Sequence, residues 1–279
     1  MKERVTITLE KELLTDLDSL IGKDHLKNRS HAIEELLKKA LGKRCAKRAL
    51  ILCGGKGTPL HPITKEIPKS LIPVHGKPLA EHLIELFKKY DVRDIILSVG
   101  HKKEHIMQHF GDGSRFGVTI RYIEETTPLG TAGSLLLAKH LFEDTFFVTN
   151  GDELKNLDLE HFYNEHKKNR SIATVALTTV REPRDYGVVD MQGSRIVRFC
   201  EKPAPGESSS TLINSGLYIL EPAILNYIQD GYCSFEKTVF PTIAKEGQLY
   251  GYLFSGQWYD MGTIDNYEKA LNEWKGITQ

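Results

Sequence analysis

Residues 50–74 constrain the fold more than any other stretch of this chain. The apolar run Leu-Ile-Leu-Cys ends in glycines at positions 54, 55 and 57, and Lys69 follows within a Pro-Lys-Ser-Leu turn. Glycines let a backbone approach a ligand closely and direct its N–H groups toward anionic oxygens. The spacing matches neither the dinucleotide fingerprint nor the P-loop. It predicts a buried strand followed by a phosphate-binding loop, and the alternative is a tight turn without a ligand.

Apolar runs and segments of helical spacing alternate after this loop. The runs lie at residues 94–100, 118–123 and 145–150, and helical spacing appears at residues 79–90, 103–110 and 135–140. Continuous apolar strands that alternate with helices indicate an α/β fold with an open, mostly parallel sheet and right-handed crossovers. Ligands of such sheets bind at the carboxyl ends of the strands, which is where Asp152 follows residues 145–150.

Composition indicates a globular protein with one large and one small domain. The 279 residues are 40% hydrophobic and 27% charged, and 37 basic side chains balance 37 acidic ones. The four cysteines are scattered and the N-terminus has no apolar signal region, so we expect reduced thiols and a cytoplasmic location. No apolar run reaches the roughly 18 residues that a membrane span needs, so no membrane partner is expected.

The first 46 residues predict a separate small domain. Residues 4–9 alternate apolar and polar as a half-buried strand does, and residues 10–21 and 28–41 have amphipathic helical spacing. Residues 1–48 contain twelve Lys/Arg against eight Asp/Glu. One strand and two helices bury too little apolar surface alone, so we expect this domain to form a homodimer.

This order of strand, helix and helix resembles the ribbon-helix-helix family. The resemblance implies a paired β-ribbon whose outward side chains Arg4, Thr6 and Thr8 contact DNA. The alternative is a domain that only dimerises, because the polar face of the strand offers few contacts to bases.

The body of the chain, residues 47–279, resembles the sugar-1-phosphate nucleotidylyltransferases. The match begins with Gly-Gly-Lys-Gly-Thr-Pro-Leu-His-Pro-Ile-Thr and Pro-Lys-Ser-Leu-Ile-Pro-Val. It continues with Gly151-Asp152, Asp185-Tyr186-Gly187, Glu201-Lys202-Pro203, Asn214-Ser215-Gly216 and Trp258-Tyr259-Asp260-Met261-Gly262-Thr263. The resemblance implies a Rossmann-like sheet of the nucleotide-diphospho-sugar transferase type. It also implies transfer of a nucleotidyl group from an NTP to a sugar-1-phosphate, with release of pyrophosphate.

The resemblance also implies a role for each matching residue. Gly54, Gly55, Gly57, Thr58 and Gly130 would bind the nucleotide, and Gly187, Glu201, Lys202 and Asn214 would bind the sugar phosphate. Lys69, Asp152 and Asp260 would be catalytic, and the two aspartates would bind Mg²⁺, a hard cation that prefers oxygen ligands. Either aspartate alone would more often be a turn residue or a helix cap.

Glu125 indicates which base is used. It lies three residues before Pro128-Leu129-Gly130, where many uridylyl- and thymidylyltransferases of the family have glutamine. A carboxylate only accepts hydrogen bonds and so suits the two adjacent donors of guanine, whereas an amide suits a pyrimidine. We therefore expect GTP; the alternative is an exposed glutamate and a base recognised by the backbone.

Pro59 occupies the position of the family's catalytic arginine. A proline offers neither charge nor N–H, so another cation must substitute, with Lys56 and His61 nearest in sequence, or turnover falls. Two hypotheses follow: a working transferase, or a weakened sensor of nucleotide or NDP-sugar that regulates transcription through its first domain. Retention of both aspartates and both lysines favours the enzyme.

Overall fold

The protein is described from a computed structural model over residues 5–22, 26–40, 45–57, 60 and 63–277. The chain divides into two compact units, Met1–Arg44 and Cys45–Gln279. The sequence predicts this boundary after residue 46.

Two helices make up the described part of the first unit, α1 (Lys11–Leu20) and α2 (Arg29–Ala40). Asn28 Oδ1 accepts a hydrogen bond from the backbone N–H of His31 at 2.9 Å, so Asn28 caps α2. The guanidinium of Arg29 donates to both carboxylate oxygens of Asp18 at 2.6 Å, which links the two helices.

The strand predicted over residues 4–9 is not found where the chain is described. Residues 5–10 have no regular secondary structure, and Val5, Thr6, Ile7 and Thr8 are exposed, while Arg4 lies outside the described residues. The predicted strand pairs with a second copy of the chain, and the structure contains one chain, so the strand stays a prediction. A ribbon-helix-helix domain is therefore not shown.

The second unit contains thirteen strands in its described residues. In chain order they are β1 (Arg48–Leu52), β2 (Pro73–Val74), β3 (Lys77–Pro78), β4 (Asp94–Val99), β5 (Thr119–Glu124), β6 (Phe146–Asn150), β7 (Glu153–Asn156), β8 (Ala173–Thr179), β9 (Gly187–Gln192), β10 (Arg195–Glu201), β11 (Leu212–Leu220), β12 (Leu249–Leu253) and β13 (Gln257–Asp260). The α-helices between them are α3 (Ile63–Glu66), α4 (Leu79–Lys89), α5 (Lys103–Phe110), α6 (Gly130–Leu137), α7 (Leu159–Asn169), α8 (Phe240–Lys245) and α9 (Ile264–Glu273). A π-helix, Phe235–Val239, precedes α8.

Nine strands form one mixed sheet in the order β5-β4-β1-β6-β11-β8-β12-β10-β9. The first four are parallel, as the alternation of apolar runs and helices predicts. Most residues of β4, β1 and β6 are buried, because helices cover both faces of the sheet, whereas the edge strand β5 is buried only at Ile120 and Ile123.

The second half of the sheet differs from the predicted open, parallel arrangement. Strand β11 is antiparallel to β6 and β8, and β9 and β10 form an antiparallel hairpin. Strand β9 also pairs with β11 through Val188 and Ile213, so β11, β8, β12, β10 and β9 close into a ring. Because the ring is closed, the edge strand β9 is paired with β11, whereas in an open sheet its N–H and C=O groups would be exposed.

Buried side chains form one hydrophobic core on each face of the sheet, and a third, smaller core lies beside the antiparallel pair of β7 and β13. The third core contains Leu60, Leu154 and Met261, and so holds the β7–β13 pair, in which β13 ends at Asp260. Over the described residues, no helix combines the length and apolarity that crossing a bilayer demands.

Candidate functional site

A cavity of about 640 Å³ opens at the carboxyl ends of β1, β5 and β6. It is lined by every residue predicted to bind nucleotide, sugar phosphate or metal that the structure describes. These residues are Gly54, Gly55, Gly57, Lys69, Glu125, Gly130, Asp152, Gly187, Glu201, Lys202, Asn214 and Asp260. Thr58 lies outside the described residues. Residues that are 206 positions apart in sequence thus meet at one site.

The glycine loop requires a glycine at position 57 for two reasons. Its φ is +63°, and a Cβ there would lie 2.9 Å from Thr64 Cγ2 and 3.1 Å from Lys69 Cβ. Thr64 Oγ1 donates to the Gly57 carbonyl at 2.7 Å and so ties the loop to α3. Lys56 is exposed and is not among the described residues that line the cavity, while Pro59 and His61 lie outside the described residues.

Lys69 is a cation at the wall of the cavity. It begins a short 3-10 turn, its side chain is 12% exposed, and its Nζ donates to Asp152 Oδ2 at 2.7 Å. Burial lowers the pKa of Lys69, but the charge and hydrogen bond of Asp152, with the charges of Asp260 and Glu153, outweigh burial and raise that pKa. Lys69 therefore stays charged at neutral pH.

Three carboxylates surround this lysine. Asp152 follows β6 in a turn, and Asp260 ends β13 opposite Glu153 of β7. Burial first, and then the charges of Glu153 and Asp152, raise the pKa of Asp260 to about 7. Lys69 lowers this pKa but does not outweigh burial together with the two neighbouring carboxylates.

Asp152 and Asp260 therefore fit a hard divalent cation. Within the described ranges, no three His, Cys, Asp or Glu side chains form a group that could bind a metal. Two carboxylates that face a cavity are nevertheless enough for Mg²⁺, which usually keeps water and phosphate as its other ligands.

The carboxylate of Glu125 is fixed beside the glycine loop. Its Oε1 accepts from Ser98 Oγ at 2.7 Å, and its Oε2 accepts from the backbone N–H of Leu129 at 3.1 Å. A Cβ at Gly54 would lie only 2.9 Å from Glu125 Oε1. Each oxygen keeps a free acceptor position, so the carboxylate can still bind two donors of a ligand.

The opposite wall consists of the residues predicted to bind sugar phosphate. Lys202 has φ +50°, a strained conformation for a residue with a side chain, and its N–H donates to Tyr186 O at 3.0 Å. A Cβ at Gly187 would lie 2.7 Å from Phe199 Cζ and 2.9 Å from Glu201 Oε2. The side chains of Phe199 and Glu201 therefore leave no room for a Cβ at position 187, whether or not a sugar is bound.

Sequence reasoning missed several residues that line the same cavity. They are Glu153, Tyr186, Glu236, Lys237 and Trp258. Tyr186 and Trp258 belong to the quoted motifs without an assigned role, and their rings meet edge to face at 5.5 Å. No sequence pattern distinguishes Glu153, Glu236 and Lys237 from ordinary charged residues on a protein surface.

Glu236 connects the two walls of the cavity. Its Oε2 accepts from Thr131 Oγ1 and Ser234 Oγ at 2.6 Å, and its Oε1 accepts from Tyr218 OH at 3.1 Å. Asn214 Nδ2 donates to the same Tyr218 hydroxyl at 2.9 Å. The turn that begins α6 and the sugar-side amide therefore belong to one hydrogen-bonded network.

Comparison with known proteins identifies a family for this chain. The profile of the nucleotidyl transferase family matches residues 48–275. The beta catalytic subunit of mannose-1-phosphate guanylyltransferase from Xenopus tropicalis is 40% identical over 221 residues, which are 77% of this chain and 61% of the relative. A UTP–glucose-1-phosphate uridylyltransferase from Synechocystis sp. is 38% identical over 242 residues, covering 80% of this chain and 62% of the relative. This chain therefore spans less than two thirds of the length of these relatives.

A solved structure shares the fold over most of the chain. HddC from Yersinia pseudotuberculosis, crystallised with GMP-PN, superposes with a TM-score of 0.71 at 28% identity and covers 82% of this chain and all of HddC. Since the family profile extends from β1 to beyond α9, and relatives are up to 40% identical over most of the chain, this protein belongs to the nucleotidyl transferase family.

Proposed function

We propose that this protein transfers a nucleotidyl group from an NTP to a sugar-1-phosphate and releases pyrophosphate. The observation that carries the proposal is the single cavity in which the Lys69–Asp152 pair and Asp260 face the wall of Glu201, Lys202 and Asn214. A cation and carboxylates lie between a glycine loop suited to phosphates and polar groups suited to a sugar.

The reaction forms a bond between a sugar-1-phosphate oxygen and the α-phosphorus, and it breaks the bond from that phosphorus to pyrophosphate. Such a transfer depends mainly on alignment and on neutralisation of charge. Lys69 Nζ and the N–H groups of residues 54–57 bind phosphate oxygens, and Lys202 attracts the sugar phosphate. Bound by Asp152 and Asp260, Mg²⁺ would supply further positive charge to the phosphates.

The base is guanine in this proposal. Glu125 presents two fixed acceptors, and guanine presents two adjacent N–H donors on its N1 and N2 edge. The named guanylyltransferase relative and the GMP-PN complex of HddC support this assignment, whereas the Synechocystis relative is named for UTP. Calorimetry with GTP, UTP and dTTP tests the assignment, and tighter binding of UTP or dTTP would refute it.

A pyrophosphate-release assay with GTP and a panel of sugar-1-phosphates, beginning with mannose-1-phosphate and glucose-1-phosphate, tests the activity. We expect release by the wild-type protein and faster release by Pro59→Arg, because an arginine that neutralises a transferring phosphate contributes roughly 10² to 10⁵ in turnover. Pyrophosphate release by the arginine variant alone would contradict the proposal.

The alternative of a transcriptional sensor gains no support from the relatives, which are named as transferases. Dimerisation through residues 1–46 and DNA contacts by Arg4, Thr6 and Thr8 stay predictions. The described part of the first unit consists of two helices without a paired strand.

A further inference from the structure

A buried ion pair, Glu153 and Lys155, lies at the cavity wall, where Glu153 lines the cavity, and the proposed reaction assigns no role to it. Lys155 and Glu153 lie two residues apart on β7, and Lys155 Nζ is 3.2 Å from Glu153 Oε2. The side chain of Lys155 is 0% exposed and that of Glu153 is 9% exposed. Desolvation of two charges is costly, so such a pair is stable only with good hydrogen bonds around it.

Lys155 has all the acceptors that an ammonium group requires. Besides Glu153, its Nζ donates to Thr149 Oγ1 and to the carbonyl of Gly216, both at 3.0 Å. Thr149 Oγ1 donates its own hydrogen to the same Gly216 carbonyl, so its lone pair is available to Lys155. Three N–H groups meet three acceptors, and no donor is left for a substrate. Lys155 therefore acts on the site only through its neighbours.

Glu153 connects Lys155 to the residues of the cavity. Its Oε1 accepts from Asn150 Nδ2 at 2.8 Å, and its Oε2 accepts from Trp258 Nε1 at 2.7 Å. Glu153 also follows Asp152 directly and lies opposite Asp260 in the β7–β13 pair. The pair thus joins both aspartates of the site to one buried carboxylate.

The other end of the pair reaches the sugar side. The Gly216 carbonyl that Lys155 contacts belongs to β11, and the Gly216 N–H donates to Asn214 Oδ1 at 2.9 Å. β11 lies beside β6, whereas β7 lies outside the main sheet. Lys155 is therefore a direct link between the β7–β13 pair, which Asp152 precedes and Asp260 ends, and the strand that contains Asn214.

We propose that the Glu153–Lys155 pair is a positioning device that holds Asp152 and Asp260 in register with Asn214, so that nucleotide and sugar phosphate meet in line. The proposal rests on the proposed function. Lys155 is a positioning residue, and its loss affects binding of the sugar portion of the ligand more than binding of the nucleotide. The residues that fix Glu125, namely Ser98 and Leu129, make no hydrogen bond to either member of the pair.

The test compares the dissociation constants of GDP-mannose and GDP, measured by calorimetry in Mg²⁺, for the wild-type protein and Lys155→Met. We expect the dissociation constant of GDP-mannose to rise about 10- to 100-fold, the usual effect of removing a residue that orients metal ligands, and that of GDP to change less than about threefold. Failure of the wild-type protein to bind GDP-mannose would overturn the proposed function. If the wild-type protein binds GDP-mannose and Lys155→Met binds it with the same dissociation constant, only the positioning role would be overturned.

Glu221→Gln is the matched control for instability. Glu221 accepts hydrogen bonds from Lys167 at 2.6 Å and from Thr145 at 2.9 Å, and contacts buried His166 at 3.1 Å, so its loss also disrupts a partly buried charge network. None of these residues lines the cavity. We expect Glu221→Gln to unfold at a lower temperature than the wild-type protein and to keep its dissociation constants for GDP-mannose and GDP. If the dissociation constant of GDP-mannose rose equally in Glu221→Gln and Lys155→Met, a specific role of Lys155 would be refuted.

A double variant keeps the test valid if Lys155→Met fails to fold. Glu153→Leu with Lys155→Met leaves no unpaired buried charge, and so avoids the main cost of the single change. We expect this double variant to fold and to bind GDP-mannose as weakly as the single variant. If the double variant bound GDP-mannose as tightly as the wild-type protein does, the pair would have only a structural role and the proposal would be overturned.

Discussion

Gly216→Ala is the substitution that examines the packing around the site most directly. The residue is buried on β11, its φ is +63°, and a Cβ added there would lie 2.2 Å from Glu153 Oε1 and 2.5 Å from Asn150 Nδ2. Ordinary contacts of a Cβ are at least 3.4 Å long. The carboxylate of Glu153 must therefore move by about 1 Å, beyond what a hydrogen bond tolerates.

The expected cost has two parts. A residue with a side chain loses about 1–2 kcal/mol in the left-handed region. Displacement of Glu153 strains its bonds from Asn150 Nδ2 at 2.8 Å and Trp258 Nε1 at 2.7 Å, and charge-assisted bonds of this kind contribute about 1.5–3 kcal/mol each. Allowing for partial relaxation, we expect Gly216→Ala to lower the free energy of unfolding by about 4 kcal/mol.

Urea unfolding followed by tryptophan fluorescence measures this loss, because both tryptophans of the chain, Trp258 and Trp274, belong to the second unit. Gly193→Ala is the control: Gly193 has φ +61° and an added Cβ would meet nothing within 4 Å. We expect that control to lose only the backbone part, about 1–2 kcal/mol. Equal losses in the two variants would show that Glu153 is not rigidly placed and would refute the reasoning.

Three further predictions test charge in the second unit. Burial opposes ionisation of Glu221, but hydrogen bonds from His166, Lys167 and a threonine outweigh it and lower its pKa from 4.5 to about 2. This group stabilises the fold above the unfolded-state pKa and ceases to do so as pH falls toward 2, so Glu221→Gln should cost about 2 kcal/mol in urea unfolding at pH 7 and less than half of that at pH 3. Lys69→Met should lower the rate of pyrophosphate release about 10²- to 10³-fold without unfolding the protein, and an unchanged rate would exclude Lys69 from catalysis. Glu125→Gln should reduce the preference for GTP over UTP about 10-fold in calorimetry, because an amide replaces one acceptor with a donor; an unchanged preference would assign base recognition to the backbone.

The sequence predicts the parallel half of the sheet because its signals there are local. Strands β1, β4 and β6 are short apolar runs, and the helix predicted over residues 103–110 coincides with α5. The helix predicted at residues 135–140 begins earlier, at Gly130. The backbone N–H groups of Ala132 and Gly133 donate to Cys233 O, about 100 residues away, and no local pattern reveals this partner.

The antiparallel half could not be predicted for a similar reason. Closure of the ring depends on one pairing, Val188 with Ile213, between strands that are 25 residues apart. Nothing in either segment distinguishes a closed ring from an open edge, because both arrangements bury the same alternate residues.

The motif residues of the site could be predicted, whereas the residues that support them could not. A motif records spacing along the chain, and Asp152 and Asp260 belong to such motifs. Glu153 and Lys155 read as alternate charged residues in a short segment, a pattern that usually marks a solvent-exposed face. Only the packing of β7 against β13 and the approach of the Gly216 carbonyl convert them into a buried pair.

The two lysines of the site differ in what they can do when a triphosphate binds. Lys69 contacts one carboxylate, Asp152, and lies at the cavity wall, so an arriving phosphate oxygen competes directly for its N–H groups. Lys155 has three fixed acceptors and no exposed surface, so no phosphate oxygen can reach its Nζ. In the proposed reaction Lys69 would therefore exchange Asp152 for a phosphate oxygen, while Lys155 would preserve the geometry. On this argument Lys69→Met should lower turnover and weaken binding of GDP and GDP-mannose alike, whereas Lys155→Met should weaken binding of GDP-mannose more than binding of GDP.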